Sequence, residues 1–373
     1  MTATAGSATG PVFHWFLPTG GDGRRLGGSV HGLDIGGTAA RTGKTDGRER
    51  PASLDYLTQL ARAADTLGYE GVLTPTGAHC EDAWIVTAAL IAQTRRLKFL
   101  VAFRPGLIAP ALAAHMAATF QQLSQGRLLL NVVAGSSDAE QRGYGDPLPH
   151  DERYRRAEEF LEVVRTSWTG ARFDHHGTYY QLGDARLRQP PVPIPRVYLG
   201  GSSQPALHLA AGQADTYLTW GEPVPLVAEK VDRVRELAAA RGRTVRFGLR
   251  IHVISRDSSA RAWQDAEALI AGLDDATIAA GQQRLRALES VGQRRMLDLH
   301  GGSRERLVVA PNLWAGIGLV RGGAGTALVG SHDEVAERIA EYRTAGIDEF
   351  VLSGYPHLEE AYRFAEDVAP LLR

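Results

Sequence analysis

The sequence predicts an α/β protein built on a single TIM-type (β/α)8 barrel with insertions at its C-terminal face. Three observations carry that prediction. Eight short β-branched or apolar runs are spread between residues 12 and 355, amphipathic stretches of helical length separate them, and two longer segments interrupt the alternation after strands. Eight strands alternating with helices most simply close on themselves, and reactive groups then collect at the C-terminal strand ends. A doubly wound open sheet is the alternative arrangement of the same pattern. The 373 residues, 44% of them hydrophobic, are enough for one barrel with insertions or for two ordinary domains.

In chain order, VFHWFLP (12–18) is the first strand. The segment 27–51 that follows is rich in glycine and polar residues and too poor in apolar ones to pack, so it is expected to be an inserted loop. SLDYLTQLARAADTLG is the first helix and YEGVLTP (69–75) the second strand. EDAWIVTAALIAQT leads to LKFLVAFRP (97–105), and PALAAHMAATFQQLSQG, stopped by Gly126, leads to RLLLNVVAG (127–135). DERYRRAEEFLEVVRTSW comes next, then RFDHHGTYYQL, read as a small surface hairpin, and then RVYLGG (196–201). GGSS opens another helix ahead of DTYLTWG (215–221), and VPLVAEKVDRVRELAAARG precedes RFGLRIHVIS (246–255). A second insertion runs from about residue 274 to 330 and holds the helical stretch TIAAGQQRLRALESVGQRRMLDL and the glycine-rich PNLWAGIGLVRGGAGTALVG, which read together as a hinged lid. SHDEVAERIAEYRTAG then returns the chain to the eighth strand, DEFVLSGY (348–355).

Composition excludes several function classes. A net charge of -1 offers no field for nucleic acid or an anionic membrane. The single cysteine, Cys80, allows no internal disulfide framework and no zinc site built on several thiolates. The opening MTATAGSATGP has no basic segment leading into an apolar one, and no apolar run approaches a membrane span, so a cytoplasmic location is expected. GTAARTGKT has one residue too many between its glycines for a phosphate-binding loop, and GGDGRRLG has the wrong spacing for a dinucleotide fingerprint. A metal-dependent hydrolase would need His and Asp clustered at strand ends; the first strand offers only His14 and the eighth ends in Tyr355, so no metal site is expected.

The strand ends carry polar groups where the apolar runs stop. They include PTGAHCEDAW after the second strand, Arg104 on the third, Asn131 on the fourth, GGSS after the fifth, TWGEP after the sixth and GYPH after the eighth. On the seventh, Arg250 and His252 are two residues apart and share a face, which a barrel turns inward near its mouth. Ser202 and Ser203 at a helix start suit a phosphate, through hydroxyls and backbone N–H groups.

The blocks FLPTGGDGRRLG, GVLTPTGAHCEDAW, LKFLVAFRPG, YLGGSS, YLTWGEP, FGLRIHVI, NLWAGIGLVRGGAGTALVG and FVLSGYPHLEEAYRFAE resemble the alkanesulfonate monooxygenases of the bacterial-luciferase-like flavin enzymes. The resemblance runs in order from about Phe13 to Leu372, apart from the insertion near 29–50. It implies a single luciferase-like barrel domain and a two-component system. An NAD(P)H-dependent FMN reductase would supply reduced FMN, and this chain would use it with O2 to cleave a C–S bond, giving an aldehyde and sulfite. It further implies Arg250, His252, Arg321, Tyr355 and Cys80 as catalytic residues, with Asn131, Tyr154, Ser202, Ser203 and Trp220 around the FMN, and a homo-oligomer, dimer or tetramer. A guanidinium can hold a sulfonate bidentately and an imidazole can exchange a proton near neutral pH. The family pattern Pro-Thr-His-Gly-Asp-Gly has histidine where this chain has Gly20, and an acidic residue usual further on falls at Ser29. Both lie beside the expected substrate pocket. Alternatives are therefore another organosulfur or sugar-sulfonate substrate, a deazaflavin or oxygen-independent FMN oxidoreductase of the same fold, and a non-catalytic ligand-binding barrel.

Overall fold

The structure, a computed structural model, describes residues 10–26 and 49–372. Most of the expected 27–51 insertion, with Ser29, lies outside the described residues.

In chain order the elements begin β1 (Val12–Phe16), α1 (Leu54–Leu67), β2 (Gly71–Thr74), α2 (Ala83–Leu90), β3 (Lys98–Phe103), α3 (Pro110–Ser124) and β4 (Leu128–Val132). Next come α4 (Asp138–Gly143), α5 (His150–Ser167), the hairpin strands β5 (Phe173–His176) and β6 (Gln181–Ala185), β7 (Arg196–Gly200), α6 (Gln204–Gln213), β8 (Thr216–Trp220), α7 (Val224–Ala239) and β9 (Arg246–Arg256). After β9 comes α8 (Ser259–Ile270), and the second insertion contributes α9 (Asp275–Arg286), α10 (Val291–His300), β10 (Val308–Ala310) and β11 (Leu313–Trp314). The chain closes with β12 (Ala327–Ser331), α11 (His332–Thr344), β13 (Glu349–Ser353) and α12 (His357–Arg363).

The expected barrel is present. Strands β1, β2, β3, β4, β7, β8, β9 and β13 pair in parallel in that cyclic order, with β13 joining β9 to β1. All eight strands read from the sequence are barrel strands, and RFDHHGTYYQL does form a hairpin, paired antiparallel. β9 is longer than its neighbours. Its first half pairs with β8 and its second half with β12, so the end of the second insertion is stitched directly onto the strand that carries Arg250 and His252. The helical stretch expected in that insertion is broken in two, because Ser290 caps α10 by accepting from the Gln293 N–H. The amphipathic α8 was not picked out by the sequence reading.

Strand alternation sorts the core. Trp15, Val72, Val101, Leu249, Ile251 and Leu352 point outward to the helices, whereas Phe16, Leu73, Leu100, Leu129, Tyr198, Leu218 and Val351 fill the barrel interior. This apolar plug divides the interior into two polar ends. Below it, buried Glu349 holds His14, Tyr198 and Arg196. Above it, the strand ends open onto a cavity. Among the described residues no helix is long and apolar enough to cross a membrane.

Candidate active site

A cavity of about 370 Å³ lies over the C-terminal strand ends, a volume within the range of small-molecule and cofactor sites. Nine of the ten residues singled out from the sequence line it: Cys80, Asn131, Tyr154, Ser202, Ser203, Trp220, Arg250, Arg321 and Tyr355. The tenth, His252, stands behind the wall and is fully buried.

Arg250 reaches the cavity from β9, as the shared-face argument requires. Its guanidinium donates to the Ile251 carbonyl at 3.0 Å and sits 4.7 Å from the centre of the Phe16 ring. Arg321 comes from the loop ahead of β12, lies 5.4 Å from the same ring and donates to the Tyr355 hydroxyl. No carboxylate among the described residues forms an ion pair with either one. Burial, and then the Arg321 charge beside it, pull the Arg250 guanidinium below its usual range. Two cations with no carboxylate partner among the described residues create a demand for an anion.

His252 is fixed on three sides. Its Nδ1 faces Ser353 Oγ at 2.6 Å, its Nε2 faces the Ala324 carbonyl at 3.0 Å, and its ring stacks on Tyr355 at 5.4 Å. Nε2 also lies 3.2 Å from Arg321 Nη1; a carbonyl oxygen only accepts and a guanidinium only donates, so the two compete for Nε2, while the Ser353 hydroxyl can serve Nδ1 in either tautomer. Burial, with Arg250, Arg321 and His357 nearby, pushes the imidazole well below its usual value. This neutral, enclosed ring differs from the sequence expectation of an imidazole exchanging protons near neutral pH. What the sequence could not show was how completely the plug and the lid would desolvate it.

Cys80 is likewise held as a thiol, pushed up to about 11 by burial, with its Sγ 3.4 Å from the Gly77 carbonyl. Burial raises Tyr154 and Tyr355 above the ordinary phenol range, so both act as neutral hydroxyls.

The GGSS segment forms the opposite wall. Ser203 caps α6, its Oγ accepting from the Ala206 N–H, and Gly201 turns the chain with φ of +137°. A side chain on Gly201 would lie 2.6 Å from Ala206 Cβ and 3.1 Å from the Tyr154 hydroxyl, so only glycine lets β7 deliver both serines to the cavity. Gly292, near the start of α10, is required for a similar reason: a Cβ there would press on the Trp220 ring at 3.2 Å.

The second insertion is anchored in several places. Arg153, on α5, donates to the Ala134 and Leu148 carbonyls and pairs with Glu289, while the Glu289 N–H bonds to the Ser136 carbonyl. Gln293 Oε1 accepts from the Gly323 N–H at 2.9 Å, tying α10 to the loop that carries Arg321. The expected lid thus contributes Ser290, Val291, Gly292 and residues 321–324 to the cavity wall, and Arg321 is already half-buried.

Several further wall residues were not assigned from the sequence. His79, an exposed residue, lines the cavity beside Gly20, whose Cβ position lies 3.3 Å from the His79 carbonyl. His357 stacks on Phe16, and its backbone N–H donates to Asp22, a fully buried carboxyl that burial raises to about 6 and that also accepts from the Tyr56 hydroxyl. Asp22 is the carboxylate of the PTGGDG stretch and supports the loop after β13. The tetrapeptide GYPH pointed to His357; His79 carried no signal beyond its place in a strand-end loop.

A family model described as luciferase-like monooxygenase matches residues 13–349. Among solved structures, the chain is similar to a riboflavin lyase with modified FMN and substrate riboflavin, at 22% identity and a TM-score of 0.77, covering 98% of this chain and 92% of that one. It is similar to an EDTA monooxygenase from Chelativorans sp. BNC1, at 21% identity and a TM-score of 0.73 over 98% and 94% of the two chains. It also matches the oxygenating constituent of 3,6-diketocamphane monooxygenase from Pseudomonas putida in complex with FMN, at 17% identity and a TM-score of 0.72 over 98% and 99%. At these identities the likeness to the solved structures is one of fold.

Proposed function

The chain belongs to the luciferase-like monooxygenase family, and from that premise we propose that it is the oxygenase of a two-component system, using reduced FMN and O2 to cleave the C–S bond of an alkanesulfonate. The observation that carries the anionic substrate is the pair Arg250 and Arg321, two guanidiniums facing one cavity without a carboxylate partner among the described residues. A sulfonate presents three oxygens to such donors. Bound there, it neutralises a charge that otherwise weakens the site.

The residues fit FMN. Ser202, Ser203 and the start of α6 offer hydroxyls and backbone N–H groups to its phosphate, with Tyr154 alongside. Asn131 and Trp220, which line the same cavity, would hold the ring system. When bound, reduced FMN supplies the two electrons that turn one oxygen atom of O2 into water as the other becomes the aldehyde oxygen. This chain's residues do the remaining work. Arg250 and Arg321 orient the sulfonate and favour its departure as sulfite. The neutral hydroxyl of Tyr355, polarised by Arg321, holds a proton at the reacting end. His252 keeps Tyr355 and the 321–324 loop in place, and the lid excludes water.

Gly20 adds no side chain to the cavity wall and His79 adds a polar one, which favours a sulfonate with a hydroxylated tail, including a sugar sulfonate, as the second reading. The partner reductase is an NAD(P)H-dependent FMN reductase. A homo-oligomer is supported by α2 and α3, whose exposed positions include Ile85, Leu112 and Leu123.

The test is sulfite release by the purified protein with a flavin reductase, NADH and a panel of sulfonates from methyl to decyl together with sugar sulfonates. Release from at least one member, absent when either flavin or O2 is withheld, is the expected result. Flavin binding without sulfite from any member would remove the sulfonate reading.

A further inference from the structure

We propose that Lys230 is the counter-charge of the cofactor phosphate at Ser202 and Ser203, and that through Glu222 and Arg295 it fixes α10 when that phosphate binds. The proposal rests on the FMN reading given above.

Lys230 occupies the apolar stripe of α7, between Val227, Val231 and Val234, and is only 6% exposed. A lysine is rarely buried so deeply without anionic company. Its Nζ lies 2.5 Å from Glu222 Oε1, 2.8 Å from Thr219 Oγ1 and 3.4 Å from Ser202 Oγ, the hydroxyl that heads the phosphate cradle.

Glu222 does not belong to Lys230 alone. Arg295 Nε is 3.0 Å from each of its oxygens and Arg295 Nη2 is 2.5 Å from Oε2. Two cations therefore share one buried carboxylate; the exposed Glu229 acts on both only from outside, so the buried part of the cluster carries an excess of one positive charge. That excess stands directly behind Ser202. A dianionic phosphate in front of Ser202 takes up part of the Lys230 charge and leaves Glu222 more fully to Arg295.

Arg295 is on α10, so this second effect bears on the lid. One turn earlier, the backbone of Gly292 packs over Ser202 and Trp220, its Cβ position being 3.5 Å from Ser202 Oγ. The next residue, Gln293, holds the Gly323 N–H, two residues from Arg321. A continuous set of contacts thus leads from the phosphate cradle through Lys230, Glu222 and α10 to the guanidinium that faces the substrate. Phosphate recognition and presentation of Arg321 become one event.

The test compares reduced FMN with reduced riboflavin, which has the same ring system and no phosphate, both under nitrogen. Dissociation constants are measured alongside tryptic cleavage at Arg284, Arg286 and Arg294. For the unmodified protein the expected result is binding of FMN about tenfold or more tighter than riboflavin, the worth of one charged hydrogen bond, with slower cleavage under saturating FMN than under saturating riboflavin. In Lys230→Met the FMN affinity should fall about tenfold, riboflavin affinity should hold, and the extra protection should vanish. In Arg295→Gln the preference for FMN should persist while the protection is lost. That variant also decides the question if Lys230→Met does not fold, because loss of both properties together in Arg295→Gln overturns the coupling. Lys230→Met that retains the FMN preference and the protection, or that weakens both flavins equally, overturns the role of Lys230. Equal affinity of the unmodified protein for the two flavins would instead remove the phosphate cradle itself, and this proposal with it.

Discussion

Arg250 is held by carbonyl oxygens and an aromatic face rather than by a carboxylate, which leaves its planar fork available to the cavity. Arg250→Lys keeps the charge and loses the fork. Turnover should fall on the order of 10²-fold, the scale of a misplaced substrate, while flavin affinity and melting temperature stay close to the parent. Near-normal sulfite release by this folded variant would defeat the substrate-holding role. His252 leads to a different expectation. Since burial and two guanidiniums keep its ring neutral, His252→Ala should lower kcat through the loosened Tyr355 and 321–324 loop. The kcat/KM profile between about pH 5 and 8, the range in which an ordinary imidazole titrates, should keep its shape. A limb lost from that profile in the variant would restore the imidazole to proton transfer.

At the scale of elements, two helices are more apolar on their outer faces than solvent favours. α2 exposes Ile85 together with Ala88 and Ala89, and α3 exposes Ala111, Leu112 and Leu123. A helix that is apolar around most of its circumference is normally covered. With a second copy as the covering surface, Ile85→Asp combined with Leu112→Asp should shift the protein from oligomer to monomer in sedimentation or light scattering, with the barrel still folded. An unchanged mass would place the oligomer contact elsewhere or remove it. The second insertion teaches a separate lesson. Its helical periodicity was legible, but the break at Ser290 that points the start of α10 into the cavity followed from a cap whose meaning depends on what lies opposite.

The whole molecule carries ionisable groups that tie its stability to pH. Glu349 under the apolar plug is held at about 2 by His14, Arg196 and Tyr198 in spite of its burial. Its folded value lies below the unfolded 4.5, so its contribution is complete above pH 4.5 and is lost as pH falls toward 2. His300, lowered from 6.5 to about 4 by burial, acts in the same direction over a higher window, complete above 6.5 and lost on the way down to 4. Asp22 opposes them. Its carboxyl is raised from 3.8 to about 6, the folded state binds that proton more tightly, and stability declines as pH rises through that interval. The melting temperature should therefore fall as pH drops from 6.5 toward 4, where His252 and His300 both lose their contribution and Asp22 offsets part of the loss, and fall further below 4.5 as Glu349 is protonated. His300→Gln should remove its share of that loss and make the curve shallower between pH 6.5 and 4. An unchanged curve in this variant would assign the linkage to other groups.

The sequence alone determined the barrel, since a period of two in the strands and roughly 3.6 in the helices is written into neighbouring residues and needs no knowledge of the rest of the chain. The same local period put Arg250 and His252 on one inward face, and a serine pair after a strand placed Ser202 and Ser203 at a helix start. Only the tertiary structure decided that Arg250 meets the cavity while His252 stands behind it, that Cys80 is held as a thiol, and that Lys230, which the sequence reading did not single out, lies behind Ser202. These properties depend on depth and on which groups approach from distant elements. Desolvation and charge act through space between β9, α7, α10 and the loop before β12, and no pattern along the chain encodes their sum.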